Sequence, residues 1–498
     1  MGMSSCRSQD IGSAAFCESY PRPCNPTGTH SAMTRSESTP PLMLSVSGAR
    51  GLVDSTMTPD VAGAFAAAFG SELLESAPEE PLRMVIGRDG RPSGEKMCDA
   101  VCDALAGIGA EVINVDIATT PTVGVMIRKT GSNGGIVITA SHNPIEWNGI
   151  KCLDHDGLAP PQEQANRIIE RFRTSEVIDP SARTPGSISR DDSSTRHHVD
   201  LVLNELDVDM IRANPTTVVL DSINASGIVG GRMLLEDLGC ELVHLNGEQT
   251  GVFAHTPEPT RENLQDLARL VGDNAKAACG FAQDPDADRL AIVDENGAYI
   301  GEEYTLVLAV LRHLQKNGPC NLVANLSTSR MIDDLAGRFP GTRVHRSAVG
   351  EANVVARMRE CEAPLGGEGN GGVILRSVGW IRDSFVAMGL VLELLAAEKR
   401  PLSRIIEDLP RYAMIKEKLD LSRIGGRAVI EPVLERLKIA FAAERVNDSD
   451  GVRIDFEEGW VHVRASNTEP IMRIIAEAET EAEARALIKK AGTAAGLD

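Results

Sequence analysis

Residues 84–115 read MVIGRDGRPSGEKMCDAVCDALAGIGAEVINV. An apolar run, Met84-Val-Ile-Gly87, leads into the polar turn Arg88-Asp-Gly-Arg-Pro-Ser-Gly94. A helix with an apolar period near four then runs through Ala106, and a second apolar run covers 111–115, which together predict one βαβ unit. The plan returns with Val218-Val-Leu220, the turn Asp221-Ser-Ile-Asn-Ala-Ser-Gly227, a helix to Leu238 and a strand over 241–245. It returns again with Leu322-Val-Ala324, Asn325-Leu-Ser-Thr-Ser329, a helix to about Phe339 and Arg343-Val-His345. Such units build largely parallel sheets and carry their working loops at the carboxyl ends of strands. Three related α/β domains with mixed, largely parallel sheets are therefore expected.

The tail follows another pattern. After Pro410 come an apolar-polar run over 412–418, a helix over 429–442, alternating strands over 451–455 and 460–464, a strand over 473–477 and an Ala-rich helix. These predict a smaller C-terminal α+β domain. Polar or Pro-bearing stretches over 187–199 and 399–410 read as boundaries, giving domains at 42–190, 191–300, 301–409 and 410–498 around a central cleft. Residues 1–41 are rich in Ser, Thr and Pro without an apolar signal core and read as a disordered extension, with a start at Met33 or Met43 as a further expectation and a transit peptide as the lesser one.

At 498 residues the chain is too long for one core. A formal charge of −21 disfavours nucleic acid and anionic membrane surfaces as partners. No run approaches the ~18 apolar residues of a membrane span, so a cytoplasmic protein is expected. An anionic substrate would need a metal ion or local arginines to reverse the field at its site. The ten cysteines lack metal-ligand spacing, and Cys98 and Cys102, one helical turn apart, read as buried free thiols.

Four loops carry chemistry. Gly134-Gly-Ile-Val-Ile-Thr-Ala-Ser-His-Asn-Pro144 reads as a buried strand ending in a polar turn that presents Ser141 as a nucleophile or as a plain capped turn. Neighbouring strand residues face opposite ways, so no relay between Ser141 and His142 is implied, and Gly149 with Lys151 reads as a second tight turn bearing a cation. In Asp284-Pro-Asp-Ala-Asp-Arg289, alternate residues of extended chain bring three carboxylates to one side, where a hard divalent cation relieves their repulsion. Calcium competes, because Asp284, Asp286, Asp288 and Glu295 fall at EF-hand positions, but Arg289 stands where the sharp turn needs Gly and the flanks read as strands. Three carboxylates with a phosphate suit magnesium. Gly366-Gly-Glu-Gly-Asn-Gly-Gly372 implies close backbone approach, with Glu368 and Asn370 able to bind vicinal hydroxyls of a sugar, or else a flexible surface loop. Arg464-Ala-Ser-Asn-Thr-Glu-Pro470 holds the hydroxyls, amide and arginine a phosphate dianion wants, or a capped turn.

With these four loops in order, the chain from about Leu44 onward resembles the alpha-D-phosphohexomutase superfamily. Thr139-Ala-Ser-His-Asn-Pro144 with Asn148-Gly-Ile-Lys151 is similar to its phosphoserine loop, 284–289 to its magnesium loop, and the other two to its sugar-binding and distal phosphate-binding loops. The resemblance carries over Ser141, His142, Lys151 and Arg50 as catalytic positions, the last from the short match Gly48-Ala-Arg-Gly51. It implies one Mg2+ on Ser141, Asp284, Asp286 and Asp288, the sugar on Glu368 and Asn370, and phosphate on Arg464, Ser466, Asn467, Thr468 and Arg289.

The implied enzyme is an isomerase in which phosphoserine passes its phosphoryl group to a sugar monophosphate. The sugar bisphosphate, intermediate and activator, turns end for end and returns the other phosphate. Lys151 would carry the proton if its pKa is lowered. Many relatives end the sugar loop with a serine and a histidine where this chain has Asn370 and Gly372, so a histidine role there does not transfer. The Glu-Gly-Asn-Gly-Gly loop and Ile145-Glu-Trp147 are most similar to members assigned as phosphoglucosamine mutases, which interconvert glucosamine 6-phosphate and glucosamine 1-phosphate. A phosphomannomutase or phosphoglucomutase is the alternative, and a silent sugar-phosphate sensor the lesser one. A homodimer stays open.

Overall fold

The computed structural model describes residues 41–76, 81–423, 426–466 and 471–497. Residues 1–40 of the expected extension, and Asn467 and Thr468 of the expected phosphate loop, lie outside them.

The first sheet holds β1 (Met43–Ser45), β2 (Gly48–Leu52), β3 (Arg83–Arg88), β4 (Glu111–Ile117), β5 (Gly134–Ile138), β6 (Trp147–Asp154) and β7 (Ile188–Arg190) in the order β1-β2-β6-β5-β3-β4-β7. The second holds β8 (Thr217–Asp221), β9 (Glu241–Leu245), β10 (Ala277–Gln283) and β11 (Leu290–Asp294) in the order β11-β10-β8-β9. The third holds β12 (Asn321–Asn325), β13 (Arg343–Ser347), β14 (Leu365–Glu368) and β15 (Gly372–Leu375) in the order β13-β12-β14-β15.

One plan is repeated in all three. The first strand of the unit pairs in parallel with the second and third, and the third turns back into an antiparallel fourth: β3 with β4 and β5, then β6; β8 with β9 and β10, then β11; β12 with β13 and β14, then β15. The turn between third and fourth strands is thus an equivalent place in each unit, and it holds residues 139–146, 284–289 and 369–371 in turn.

The last sheet is antiparallel throughout: β16 (Ala413–Asp420), β17 (Arg445–Asn447), β18 (Val452–Asp455), β19 (Gly459–Ala465) and β20 (Ile471–Ala478), ordered β16-β20-β19-β18-β17. Helices Ile430–Ala440 and Glu481–Ala495 bury their apolar stripes in its core.

Helix Ser384–Glu398, SFVAMGLVLELLAAE, is apolar on every side, as a helix enclosed by protein must be. It packs on helix Glu303–Asn317 in one core that joins the second and third sheets. Its one interior acid, Glu393, is neutralised by Arg312 at 3.0 Å and Lys316 at 2.8 Å.

One sequence expectation changes. Gly149 and Lys151 lie within β6, between β2 and β5, rather than in a turn; a Cβ at Gly149 would meet Ala49 O at 2.5 Å, so the close strand approach needs the glycine. The boundary stretch 187–199 contains β7 and the start of helix Ser194–Asn204, and 399–410 contains helix Leu402–Glu407. Polar faces at a sheet edge or short helix read locally like linkers. Cys98 and Cys102 are buried free thiols, as expected. Among the described residues no helix is long and apolar enough to cross a membrane.

Candidate active site

Ser141 lies beyond the end of β5 with φ of 51°, a left-handed conformation unusual for a side-chain-bearing residue. That conformation breaks strand alternation, so His142 does not point away. Its Nδ1 sits 3.3 Å from Ser141 Oγ, against the expectation of opposite faces. Ser141 Oγ donates to Asp284 Oδ2 at 3.1 Å, bringing together the turns of the first and second units. Burial, with Arg289 and Arg50 nearby, lowers the His142 pKa to about 3, so the imidazole is neutral at neutral pH.

The antiparallel pair β10 and β11 sets Asp284, Asp286 and Asp288 in one turn, all fully buried, with carboxylate oxygens within 4.8 Å of one another. Asp286 Oδ2 accepts from Thr120 Oγ1 at 2.7 Å, and Asp288 Oδ2 from Lys151 Nζ at 3.1 Å and Arg382 Nη2 at 2.7 Å. Asp286 Oδ1 and Asp288 Oδ1 are buried without a hydrogen-bond partner. Two buried carboxylate oxygens without a hydrogen-bond donor are costly unless a cation takes them, so the donor set fits a hard oxygen-loving ion.

The electrostatics agree. Burial and then Asp286 and Asp288 push the Asp284 carboxyl well above the usual range; at Asp288 burial also acts upward, but Arg382 and Lys151 overcome it and hold the group low. The calcium alternative loses its last ligand, because Glu295 is spent on Ser403 N at 3.1 Å and on the Ser403 hydroxyl.

Lys151 is buried, and burial alone would depress its pKa, but Asp288, Asp286 and Glu351 outweigh that and hold it above normal. That direction is opposite to the lowered value a proton carrier would need, for as long as those carboxylates carry their charge. Burial lowers the Arg50 pKa, with Asp286 opposing and Arg289 assisting. Arg289 N donates to Asp284 Oδ1 at 3.1 Å, and its guanidinium lies 3.7 Å from Asp288 Oδ1, an ion pair rather than a hydrogen bond. Local cations therefore surround the acidic turn in a chain of net charge −21, as the sequence required.

In the third turn, Glu368 accepts from Asn325 Nδ2 at 2.8 Å, Gly350 N at 3.0 Å and Arg382 Nη1 at 2.7 Å. Burial raises its pKa, but Arg382 and Asn325 more than offset that and keep it ionised. Asn370 Oδ1 is buried and unpartnered. The glycines do mark close approach, but to the protein's own groups: a Cβ at Gly372 would lie 2.2 Å from Arg382 Cδ. In the last sheet Arg464 Nε donates to Asp450 Oδ2 at 3.0 Å, which also accepts from Val349 N at 3.0 Å, and Ser466 is buried.

Arg382, Glu351 and Arg91 escaped the sequence reading. Arg382 precedes Asp383, which caps the central helix by accepting from Phe385 N at 2.8 Å, and so looked like part of an ordinary helix start. Arg91 sat in view in the turn at 88–94.

Four family domains match the chain: Phosphoglucomutase/phosphomannomutase alpha/beta/alpha domain I over 43–178, domain II over 196–297, domain III over 301–412 and the C-terminal domain over 428–491. The chain is 37% identical over 443 residues to a "Phosphoglucomutase/phosphomannomutase" of Thermococcus kodakarensis, covering 88% of this chain and 95% of that one. It is 35% identical over 442 residues to a "Probable phosphoglucosamine mutase" of Methanopyrus kandleri, covering 89% and 95%. A solved phosphoglucomutase/phosphomannomutase family protein of Burkholderia thailandensis superposes with a TM-score of 0.79 at 27% identity, over 91% of this chain and 98% of the other.

Proposed function

The chain belongs to the phosphoglucomutase/phosphomannomutase family, and from that premise we propose that this phosphohexomutase interconverts glucosamine 6-phosphate and glucosamine 1-phosphate through a phosphoserine at Ser141. The observation that carries the proposal is Ser141 Oγ, set in a left-handed turn 3.1 Å from Asp284 Oδ2 and 3.3 Å from the neutral His142.

In the forward step the Oγ–P bond of phosphoserine 141 breaks and a bond forms from phosphorus to the free hydroxyl of the sugar monophosphate. In net terms the hydroxyl proton passes to Ser141 Oγ, and in the return step, when that oxygen attacks, His142 Nδ1 is the group within reach to take its proton. Lys151, Arg50 and Arg289 offset phosphate charge. Mg2+ held by Asp284, Asp286, Asp288 and the Ser141 phosphate would add positive charge against the transferring oxygens. Glu368 and Asn370 orient the sugar hydroxyls, and Arg464, Ser466, Asn467 and Thr468 hold the phosphate that does not react. The bisphosphorylated sugar then turns end for end and returns its other phosphate to Ser141.

The glucosamine assignment is supported by the Glu-Gly-Asn-Gly-Gly loop and by the name of the Methanopyrus kandleri relative. The name of the Thermococcus kodakarensis relative favours the second reading, a phosphomannomutase or phosphoglucomutase. A coupled turnover assay with magnesium and catalytic bisphosphate on glucosamine, mannose and glucose phosphates separates them. Glucosamine phosphate is expected to be preferred, with Ser141→Ala losing about 10,000-fold in rate; preference for a neutral hexose selects the second reading, and no turnover on any selects a sugar-phosphate sensor.

A further inference from the structure

We propose that Arg91 is the positioning residue that holds the Ser141 turn in its reactive conformation, and that Phe253 of the second unit holds Arg91; the proposal rests on the phosphoserine reading.

The Arg91 guanidinium is completely buried, and it donates from every nitrogen. Nε reaches Asp89 Oδ2 at 2.9 Å, Nη1 reaches Pro144 O at 2.7 Å and Trp147 O at 2.8 Å, and Nη2 reaches Ser141 O at 2.5 Å and Asn143 O at 2.9 Å. Three carbonyls of one turn and that of Trp147, where β6 begins, thus converge on a single planar fork. Lysine, a point charge with three donors, cannot replace that geometry.

A second path closes the frame. Asp89 Oδ2 also accepts from Thr139 Oγ1 at 2.7 Å, and Thr139 Oγ1 accepts from Ser141 N at 2.8 Å. Both the amide and the carbonyl of Ser141 are therefore tied, directly or through Thr139 and Asp89, to Arg91. A serine at φ of 51° persists only where its surroundings over-determine it, and these two ties do so.

The support continues into the second unit. Arg91 Cζ lies over the Phe253 ring, 4.8 Å from its centroid. The segment bearing Phe253 is itself anchored: Gly251 N donates to Asn224 O at 2.9 Å, and Asn224 Nδ2 to Val252 O at 3.1 Å. A Cβ at Gly251 would lie 1.8 Å from Gly90 O, so the segment is pressed directly against the Arg91 turn. The same second unit supplies Asp284, the partner of Ser141 Oγ. Arg91 therefore fixes the nucleophile relative to the acidic turn without itself touching it.

The test uses the full chain, with Ser141→Ala as blank. Parent, Arg91→Lys and Phe253→Leu are mixed with radiolabelled hexose 1,6-bisphosphate and quenched at short times, and label on Ser141 is counted per folded molecule; kcat and KM are measured alongside. Arg91→Lys is expected to slow phosphoryl transfer about 100-fold with KM changed less than twofold, the cost of misplacing the nucleophile by about 1 Å, and Phe253→Leu about 10-fold. Transfer at the parent rate in folded Arg91→Lys, or a change confined to KM, overturns the proposal. If Arg91→Lys does not fold, the half-buried Phe253 decides, slowed transfer supporting the proposal and parent rate overturning it. Absence of label on Ser141 in the parent overturns the phosphoserine reading and this proposal with it, whereas label in the parent with equal rates in the variants overturns this proposal alone.

Discussion

Arg382 ties together more of the site than any residue the motifs announced. Its guanidinium meets Asp288 and Glu368 at 2.7 Å each and Glu351 at 3.1 Å, joining the acidic turn, the edge of the glycine-rich turn and helix Glu351–Glu360. Burial works against its charge, but Asp288, Glu351 and Glu368 more than compensate. Arg382→Met would take a cationic partner from three carboxylates, Asp288 and Glu368 among them buried, and breaking a buried pair from one side usually costs about 3–5 kcal/mol. Urea unfolding is expected to show that loss, together with a raised KM for sugar phosphate, while a loss below about 1 kcal/mol would mean that the three acids find other partners. Nothing in the run Ile381-Arg-Asp-Ser384 marks this residue, because each of its partners is at least 14 positions away in the chain.

The element that behaves least as its own sequence suggests is the start of helix Glu303–Asn317. An acid at a helix N-terminus ordinarily gains about 0.3–1 kcal/mol from the dipole and stays ionised. Here burial wins and pushes the Glu303 pKa up to about 8, although Lys416 and the Ser329 amide, which donates to Oε2 at 2.9 Å, pull the other way. Oε1 is buried without a hydrogen-bond partner, and a Cβ at Gly369 would lie 2.0 Å from Oε2, so the acid is pressed against the glycine-rich turn.

The native state keeps a proton that the unfolded chain releases near 4.5, so stability from this group declines as pH rises from about 4.5 to 8. Glu303→Gln is expected to match the parent near pH 4 and to exceed it by a few kcal/mol at pH 8.5, since each tenfold change in proton affinity between the folded and unfolded chain is worth about 1.4 kcal/mol. Equal chemical stability at both pH values would show that the carboxylate ionises freely in the folded protein.

At the scale of the molecule, three copies of one strand plan bring their equivalent turns together, through Ser141 with Asp284 and through Arg382 with Asp288 and Glu368, and a fourth, antiparallel unit meets the third where Asp450 accepts from both Arg464 and Val349 N. Because the acidic turn keeps two orphaned oxygens, magnesium should bind the folded chain and not the unfolded one. It is expected to raise the thermal midpoint, worth about 2.7 kcal/mol at a hundredfold excess over its dissociation constant. A chain carrying both Asp286→Asn and Asp288→Asn should show no such shift, and a shift equal to the parent's would place the cation elsewhere. The βαβ plan, the antiparallel tail and the places of the Ser141 turn, the acidic turn and the glycine-rich turn were legible in the sequence, since periodicity, turn chemistry and spaced carboxylates are properties of neighbours along the chain. Which charges survive burial was not. That Asp288, Asp286 and Glu351 raise the Lys151 pKa against its burial, that burial lowers the pKa of His142 beside Ser141, and that Arg91 and Arg382 grip distant loops all depend on desolvation and on groups brought together across long sequence distances, which only the tertiary structure decides.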